Sequence, residues 1–166
     1  MYRKIQDFQS AWEHETDATL KVFEALTDES LEQVVYPGGR TLGRIAWHIV
    51  QTLPEMGSRT GLTVDGPGEI DPIPDSAGGI VARFSEAAGS LGRQIGETWT
   101  DADLEVEDNM YGEVWKRGQT LGALVNHQTH HRGQMTVLMR QAGLKVPGVY
   151  GPSKEEWAEY GAPPQE

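Results

Sequence analysis

Apolar residues recur every three or four positions along four long stretches of the chain, which is the spacing of amphipathic helices. The second stretch predicts a helix over 41–62, which Pro54 is expected to kink or to end early. The third predicts a helix over 77–99, and the fourth a helix over 120–142 that stops at Gly143. The first predicts a helix of about six turns, with core-facing positions at Ile5, Phe8, Trp12, Thr19, Phe23 and Leu26.

The segments between these helices carry turn signals and little strand pattern. Residues 27–39 indicate a capped half-helix that ends in Pro-Gly-Gly, and residues 63–76 indicate a loop. Residues 100–119 are expected to be irregular or briefly extended. Four long helices predict an all-α, four-helix bundle. The connections 27–40 and 100–119 could be crossovers, which would make the two helices that each one joins parallel.

The chain carries no low-complexity linker, so a single domain is expected over residues 1–166. Within 151–166, Ser153 and Glu156 have the spacing of a capping box, which predicts a short capping helix. The last residues, GAPPQE, are expected to form a frayed tail.

An internal repeat relates the second and fourth predicted helices. The stretch GRTLGRIAWH, which ends at His48, matches GQTLGALVNH, which ends at His127, with Gly, Thr, Leu, Gly and His in the same places. Thr41 and Thr120 are the candidate N-caps, and each histidine follows about two turns into its helix. The alternative is coincidence between two capped amphipathic helices. If the helices are related halves of the bundle, the two histidines can lie at one level.

Helical angles separate the three histidines of the stretch NHQTHHRGQ (126–134). At about 100° per residue from Leu121, the apolar residues of the fourth helix centre near about 320°. His131 falls at about 280° and His127 at about 240°, on the core-facing half, whereas His130 falls at about 180° and should point outwards. His48 lies on the corresponding flank of its own helix. The pattern therefore groups His48, His127 and His131.

Composition and charge narrow the classes of function. The 166 residues carry a formal net charge of -11, which argues against nucleic acid or an anionic membrane surface as the main partner. The absence of cysteine excludes disulfides, thiolate metal sites and a cysteine nucleophile. The sequence shows neither a signal-peptide pattern nor a transmembrane stretch, so a cytoplasmic location is expected.

The histidine group has the chemistry of a metal site. Two imidazoles four residues apart on a helix can meet one divalent ion at about 2.1 Å, and a third from a facing helix completes a facial set. Zinc, nickel, iron(II) and cobalt all suit three imidazoles with open positions, which favours catalysis over a structural role. The alternative is three histidines packed at the edge of a bundle without metal. His14 is interpreted as a surface residue.

The motif HxxxHRGQ (His127 to Gln134), the upstream histidine in TLGRIAWHI and the length of the chain resemble the DinB/YfiT-like family. The resemblance implies an up-up-down-down four-helix bundle, often a homodimer, that holds one divalent metal with His48, His127 and His131. Relatives include S-transferases that use small thiols such as bacillithiol or mycothiol, a thiol-dependent maleylpyruvate isomerase, and proteins described as hydrolases. A small-molecule substrate is therefore expected, with a low-molecular-weight thiol as one option.

Several other residues are candidates for roles near the metal. Glu55, two turns beyond His48, is a weak candidate for a general base, and Tyr111 and Trp115 are weak candidates for substrate-binding walls. Arg132 is expected to pair with a carboxylate or to contact a second subunit, and Gly133 to allow close approach of another helix or a dimer contact. The alternative hypothesis is that the protein is a non-catalytic, stress-related bundle in which the metal only links two helices.

Overall fold

The computed structural model describes residues 1–164 and confirms the all-α four-helix bundle. A two-stranded hairpin precedes the last helix, and single 3-10 turns occupy Glu29–Glu32, Asp101–Glu105 and Trp157–Tyr160. No helix among residues 1–164 is long and apolar enough to cross a membrane. The elements are α1 (Ile5–Glu24), α2 (Leu42–Arg59), α3 (Ala77–Thr98), β1 (Glu107–Met110), β2 (Glu113–Lys116) and α4 (Arg117–Gln141).

The four helices enclose one apolar core. Helix α1 packs against α3 and α4, and α2 packs against the same two helices from the other side. Trp12 of α1 donates its indole N–H to the Ala88 carbonyl of α3 at 3.0 Å, and Phe23 meets Phe84 edge to face. A large aromatic core of this kind supplies the apolar burial that holds a small bundle together.

Contacts between helices fix their directions. The backbone N–H of Tyr2, just before α1, donates to the Gly118 carbonyl near the start of α4, and Thr19 meets Arg132 further along both helices. Helices α1 and α4 are therefore parallel. Helix α2 is antiparallel to α4, because Ile45 near its start shares a groove with residues 134–138. Its last turns lie instead beside the beginning of α4.

The resulting order is up-down-down-up rather than the expected up-up-down-down. The crossover is the connection 60–76, which runs back along α2 and makes α2 and α3 parallel. Asp71 of this segment accepts a hydrogen bond from Trp47 of α2 at its carbonyl, and Asp65 accepts one from Ser90 of α3. The connections 27–40 and 100–119 join helices at one end of the bundle, so neither is a crossover.

Two helix boundaries differ from their sequence-based prediction. Helix α2 runs through Pro54 without ending, and its predicted cap is confirmed, since the Arg44 N–H donates to Thr41 Oγ1 at 3.0 Å. Helix α4 begins at Arg117, earlier than the predicted Thr120, because β2 leads directly into it. Thr120 therefore lies inside the first turn and is not a cap. Beyond the other end of α4, Gly143 adopts a φ of 76°, as expected of a residue that follows a helix.

The segment 100–119, expected to be irregular or briefly extended, contains an antiparallel hairpin in which Glu107 pairs with Lys116 and Met110 with Glu113. Its two-residue turn is formed by Tyr111 and Gly112, both with positive φ, at 59° and 89°. This is the geometry of a tight primed turn, which suits the twist of a hairpin.

The remaining short segments are less helical than expected. Residues 27–39 hold one 3-10 turn instead of a half-helix. Glu156 accepts the Ser153 N–H at 3.0 Å, which is one half of a capping box, but the 3-10 turn begins later, at Trp157. The end of the predicted frayed tail, residues 165–166, lies outside the described residues.

Candidate metal centre

Three imidazoles converge between α2 and α4. The Nε2 atoms of His48 and His127 lie 3.1 Å apart, and so do those of His127 and His131. The ligand atoms of all three residues lie within 4.8 Å of one another. Three nitrogens at about 2.1 Å from a common ion would be separated by about 3.0 to 3.4 Å for angles between octahedral and tetrahedral. The two spacings of 3.1 Å fall within that range.

The antiparallel packing of α2 and α4 brings these residues together. His127 and His131 lie one turn apart on α4, and His48 reaches across from α2 at the same level. His131 is buried and the other two are partly buried, whereas His130 is exposed and outside the group. His14 is exposed at the surface.

The three imidazoles are held in the neutral form that binds metal. Burial, and then the neighbouring His131, lower the pKa of both His48 and His127 to about 4. Burial also lowers the pKa of His131. At neutral pH the three rings are therefore uncharged, and each has one nitrogen lone pair available to a metal ion.

Gln134 orients the third ring. Its Oε1 accepts a hydrogen bond from the Nδ1–H of His131 at 2.7 Å, which leaves the Nε2 lone pair of that ring for the centre of the cluster. This role of Gln134 was not predicted from the sequence. Its position three residues after His131, one turn along the same helix, is the signal that could have found it.

A cavity of about 580 Å³ opens directly beside the cluster. His48 and His127 form part of its wall, and the candidates Glu55, Tyr111 and Trp115 line it as well. Its volume is within the usual range for small-molecule sites. The structure thus brings all three weak candidates to the same cavity as two of the histidines.

The Glu55 carboxylate is already engaged by two donors. The hydroxyl of Tyr111 donates to its Oε2 at 2.6 Å, and Arg59 donates to its Oε1 while stacking over the Tyr111 ring. Burial, and then the hydrogen bond to Glu55, raise the pKa of Tyr111 to about 12. Tyr111 holds this position with a backbone φ of 59°, which is strained for a residue with a side chain. The contact fixes the hairpin to the end of α2.

Arg132 and Gly133 lie away from the cluster. The expectation of a carboxylate partner for Arg132 is confirmed, because its Nη2 lies 2.6 Å from Oε2 of the buried Glu15 on α1. Arg132 therefore joins two helices and does not face the cavity. Gly133 is exposed, and nothing within residues 1–164 lies within 4 Å of where a Cβ would stand, so no helix of this chain approaches it.

Comparison with known proteins agrees with this architecture. The uncharacterized protein YrdA of Bacillus subtilis (strain 168) is 47% identical over 161 residues, which are 97% of this chain and 96% of that protein. A crystal structure of a DinB-like protein from Bacillus cereus ATCC 10987 superposes with a TM-score of 0.87 at 46% identity, and the match covers 90% of this chain and 100% of that one.

A more distant structure shows the same fold. The DinB-like protein YjoA of Bacillus subtilis superposes with a TM-score of 0.68 at 14% identity, over 86% of this chain and 97% of that one. The sequence model of the DinB family matches residues 1–166. With a family match over its whole length and a relative at 47% identity, the chain belongs to the DinB family.

Proposed function

We propose that His48, His127 and His131 hold one divalent metal ion, and that the protein is a metal-dependent enzyme acting on a small molecule. The reaction is hydrolysis or transfer of a small thiol. The observation that carries the proposal is the convergence of three neutral imidazoles at the wall of a cavity of about 580 Å³, with the Nε2 atom of His127 lying 3.1 Å from that of each of the other two. Structural metal sites are closed by protein ligands, so an adjacent cavity favours catalysis over a metal that only staples two helices.

The donor set suits a particular group of metals. Imidazole nitrogens suit zinc, nickel, iron(II) and cobalt, whereas magnesium and calcium prefer oxygen ligands. Gln134 would keep the His131 ring in the right tautomer, and the rigid α2 and α4 would hold all three rings in place. Such an ion, when bound, supplies Lewis acidity that lowers the pKa of a water or a thiol.

The remaining residues of the cavity would bind and orient the substrate. Trp115 and Tyr111 present aromatic surfaces on the hairpin side, opposite the histidines. Glu55 is the proposed base, and it would have to give up the hydrogen bond from Tyr111 before it could take a proton. Glu55 lies two turns beyond His48 on α2 and lines the same cavity as His48 and His127.

A homodimer is part of the proposal. Val35, Tyr36 and Val137 are between 53% and 64% exposed and line one groove that also borders His131. Exposed apolar side chains that share one groove are typical of contact surfaces between subunits. Light scattering of the purified protein, beside a Val137→Lys variant, tests this state directly. The cytoplasmic location stays a prediction.

The test of the proposed function is elemental analysis of the wild type beside His48→Ala, after loading with zinc or nickel and dialysis. About one equivalent of metal is expected in the wild type and far less in the variant. The metal-loaded protein is then screened against thiol-transfer and hydrolysis substrates, with His48→Ala as the control for each activity. A wild type that retains no metal after loading with either ion would refute the proposal.

A further inference from the structure

Arg44 places a positive charge close to the proposed metal site, where it would repel a divalent cation. It lies one turn before His48 on α2, is partly buried, and borders the same cavity. It is also the third residue of α2, where the helix dipole already places positive charge. A divalent ion on three neutral ligands would add two further positive charges beside it.

No carboxylate in the described part of the chain neutralises this charge. Among residues 1–164, seven ion pairs with N···O distances up to 4.0 Å include neither Arg44 nor its neighbour Arg40. Of the acidic residues at the cavity, Glu55 is bound by Arg59 and Tyr111, and Glu69 is exposed. Arg44 is therefore a cation at the cavity wall that no carboxylate of residues 1–164 pairs with at 4.0 Å or less.

A buried glutamine holds the guanidinium in place. Arg44 Nη1 donates to Gln51 Oε1 at 2.8 Å, and the Gln51 amide nitrogen donates to the carbonyls of Gly68 and Glu69 at 2.8 and 2.9 Å. Because both carbonyls can only accept, they fix which end of the amide faces Arg44. Gln51 is 5% exposed and is held by these two carbonyls, so the side chain that positions Arg44 is itself fixed in place.

Much of the remaining cavity wall is apolar. It is formed by Met56, Ala123 and the rings of Trp115 and Tyr111, with the Glu55 carboxylate beside them already bound by Tyr111 and Arg59. Arg44 and Met56 lie twelve residues apart on α2, and both line this cavity. A ligand that matches it has a charged group and an apolar body.

We propose that Arg44 binds an anionic group of the substrate, and that the substrate is a carboxylate joined to an apolar, aromatic-sized body. The planar guanidinium donates to a carboxylate through two parallel hydrogen bonds. Gln51 acts as a positioning residue for this contact. The inference rests on the proposed function, which supplies the reaction at the neighbouring histidines.

Calorimetric titration with paired probes tests the inference. Benzoate is compared with benzamide, and 3-phenylpropionate with its amide, in the zinc-loaded and the metal-free protein at one salt concentration. At least one carboxylate should bind the wild type at least tenfold more tightly than its amide. Arg44→Gln should lose about 10-fold to 100-fold in carboxylate affinity with little change for the amides, as expected for a charge-assisted hydrogen bond. Arg44→Lys should retain part of the preference.

The control is Arg93→Gln, which removes an arginine that pairs with Asp65 outside the cavity. Equal binding of carboxylates and amides by the wild type, or an unchanged preference in a folded Arg44→Gln protein, would overturn the inference. Normal zinc content together with either result would leave the proposed function intact. A protein that takes up no zinc but still prefers carboxylates through Arg44 would refute the proposed function and leave the anion site standing.

Discussion

Two adjacent residues of α4, His131 and Arg132, show two different ways to bury polar groups in one bundle. Arg132 donates to the carboxylate and the carbonyl of Glu15, to the hydroxyl of Thr19, and to the hydroxyl of Tyr150. All of these partners are acceptors within the chain. His131 instead donates its Nδ1–H to Gln134 and turns its Nε2 towards the Nε2 of His127, 3.1 Å away.

The difference shows which of the two sites needs something from outside. A buried ion pair whose donors and acceptors match is complete, and its role is to join α1, α4 and the C-terminal segment. The three imidazoles turn their Nε2 atoms towards one another, and the site that we propose would be completed by a cation from outside the chain. Polarity alone would not distinguish His131 from Arg132, because both side chains are ionisable and both are buried.

The largest effect expected at the cluster of His48, His127 and His131 is complete loss of metal binding. His127→Ala and His131→Ala should each abolish metal retention after dialysis, because two imidazoles cannot hold the ion as three do. His130→Ala should retain about one equivalent of metal, as the wild type does. Elemental analysis of the three variants gives the result. Equal loss of metal in all three variants would contradict the prediction that His130 is not a ligand.

At the buried ion pair of Arg132 and Glu15, the largest expected effect is a loss of folding stability. Arg132→Ala should lower the free energy of unfolding by about 3–5 kcal/mol, because it leaves the Glu15 carboxylate charged and buried without its partner. Urea unfolding measures the change, and the folded fraction should keep its metal. The double variant Arg132→Met with Glu15→Leu is the control, since removing both charges should restore much of the loss. A single variant as stable as the wild type would show that the pair is not a structural joint.

A smaller effect is expected at Gln134, which touches the metal site only through His131. Gln134→Ala should weaken metal affinity by about 10-fold to 100-fold, the usual result of removing the partner of a ligating histidine. Competition with a chromophoric chelator measures this affinity. Gln141→Ala, which removes an exposed glutamine from the same helix, should leave the affinity unchanged. If the two variants behave alike, Gln134 does not orient the ring.

A pH dependence of stability is expected of the chelator-treated protein. The pKa of His48 and of His127 is about 4 in the folded state against 6.5 as the ordinary value, so between these values the unfolded chain binds more protons. Stability of the metal-free protein should therefore fall as the pH falls from about 6.5 to about 4. Thermal unfolding across this range should show a shallower decline in His48→Gln. Parallel curves for the two proteins would contradict the lowered pKa values.

The local pattern predicted which face of a helix each residue lies on, but it did not predict contacts between residues that are far apart in the chain. The angles of α4 grouped His127 with His131 and placed His130 outside, which agrees with the exposures observed. No pattern in the sequence indicated, however, that Gln134 supports His131 or that Arg44 shares a cavity with His48. The Tyr111 turn was also missed, because a tyrosine with positive φ departs from the usual glycine or asparagine signal.

The sequence by itself determined the number of helices, the core-facing side of each one and the three histidines that lie on those sides. It could do so because helical periodicity depends on hydrogen bonds within one segment. Only the tertiary structure decided the up-down-down-up order, the start of α4 at Arg117 and the cavity that joins Arg44, Glu55, Tyr111 and Trp115 to the histidines. Those features depend on which connection crosses the bundle, here 60–76, and on contacts between residues far apart in the chain, for which a local pattern carries no signal.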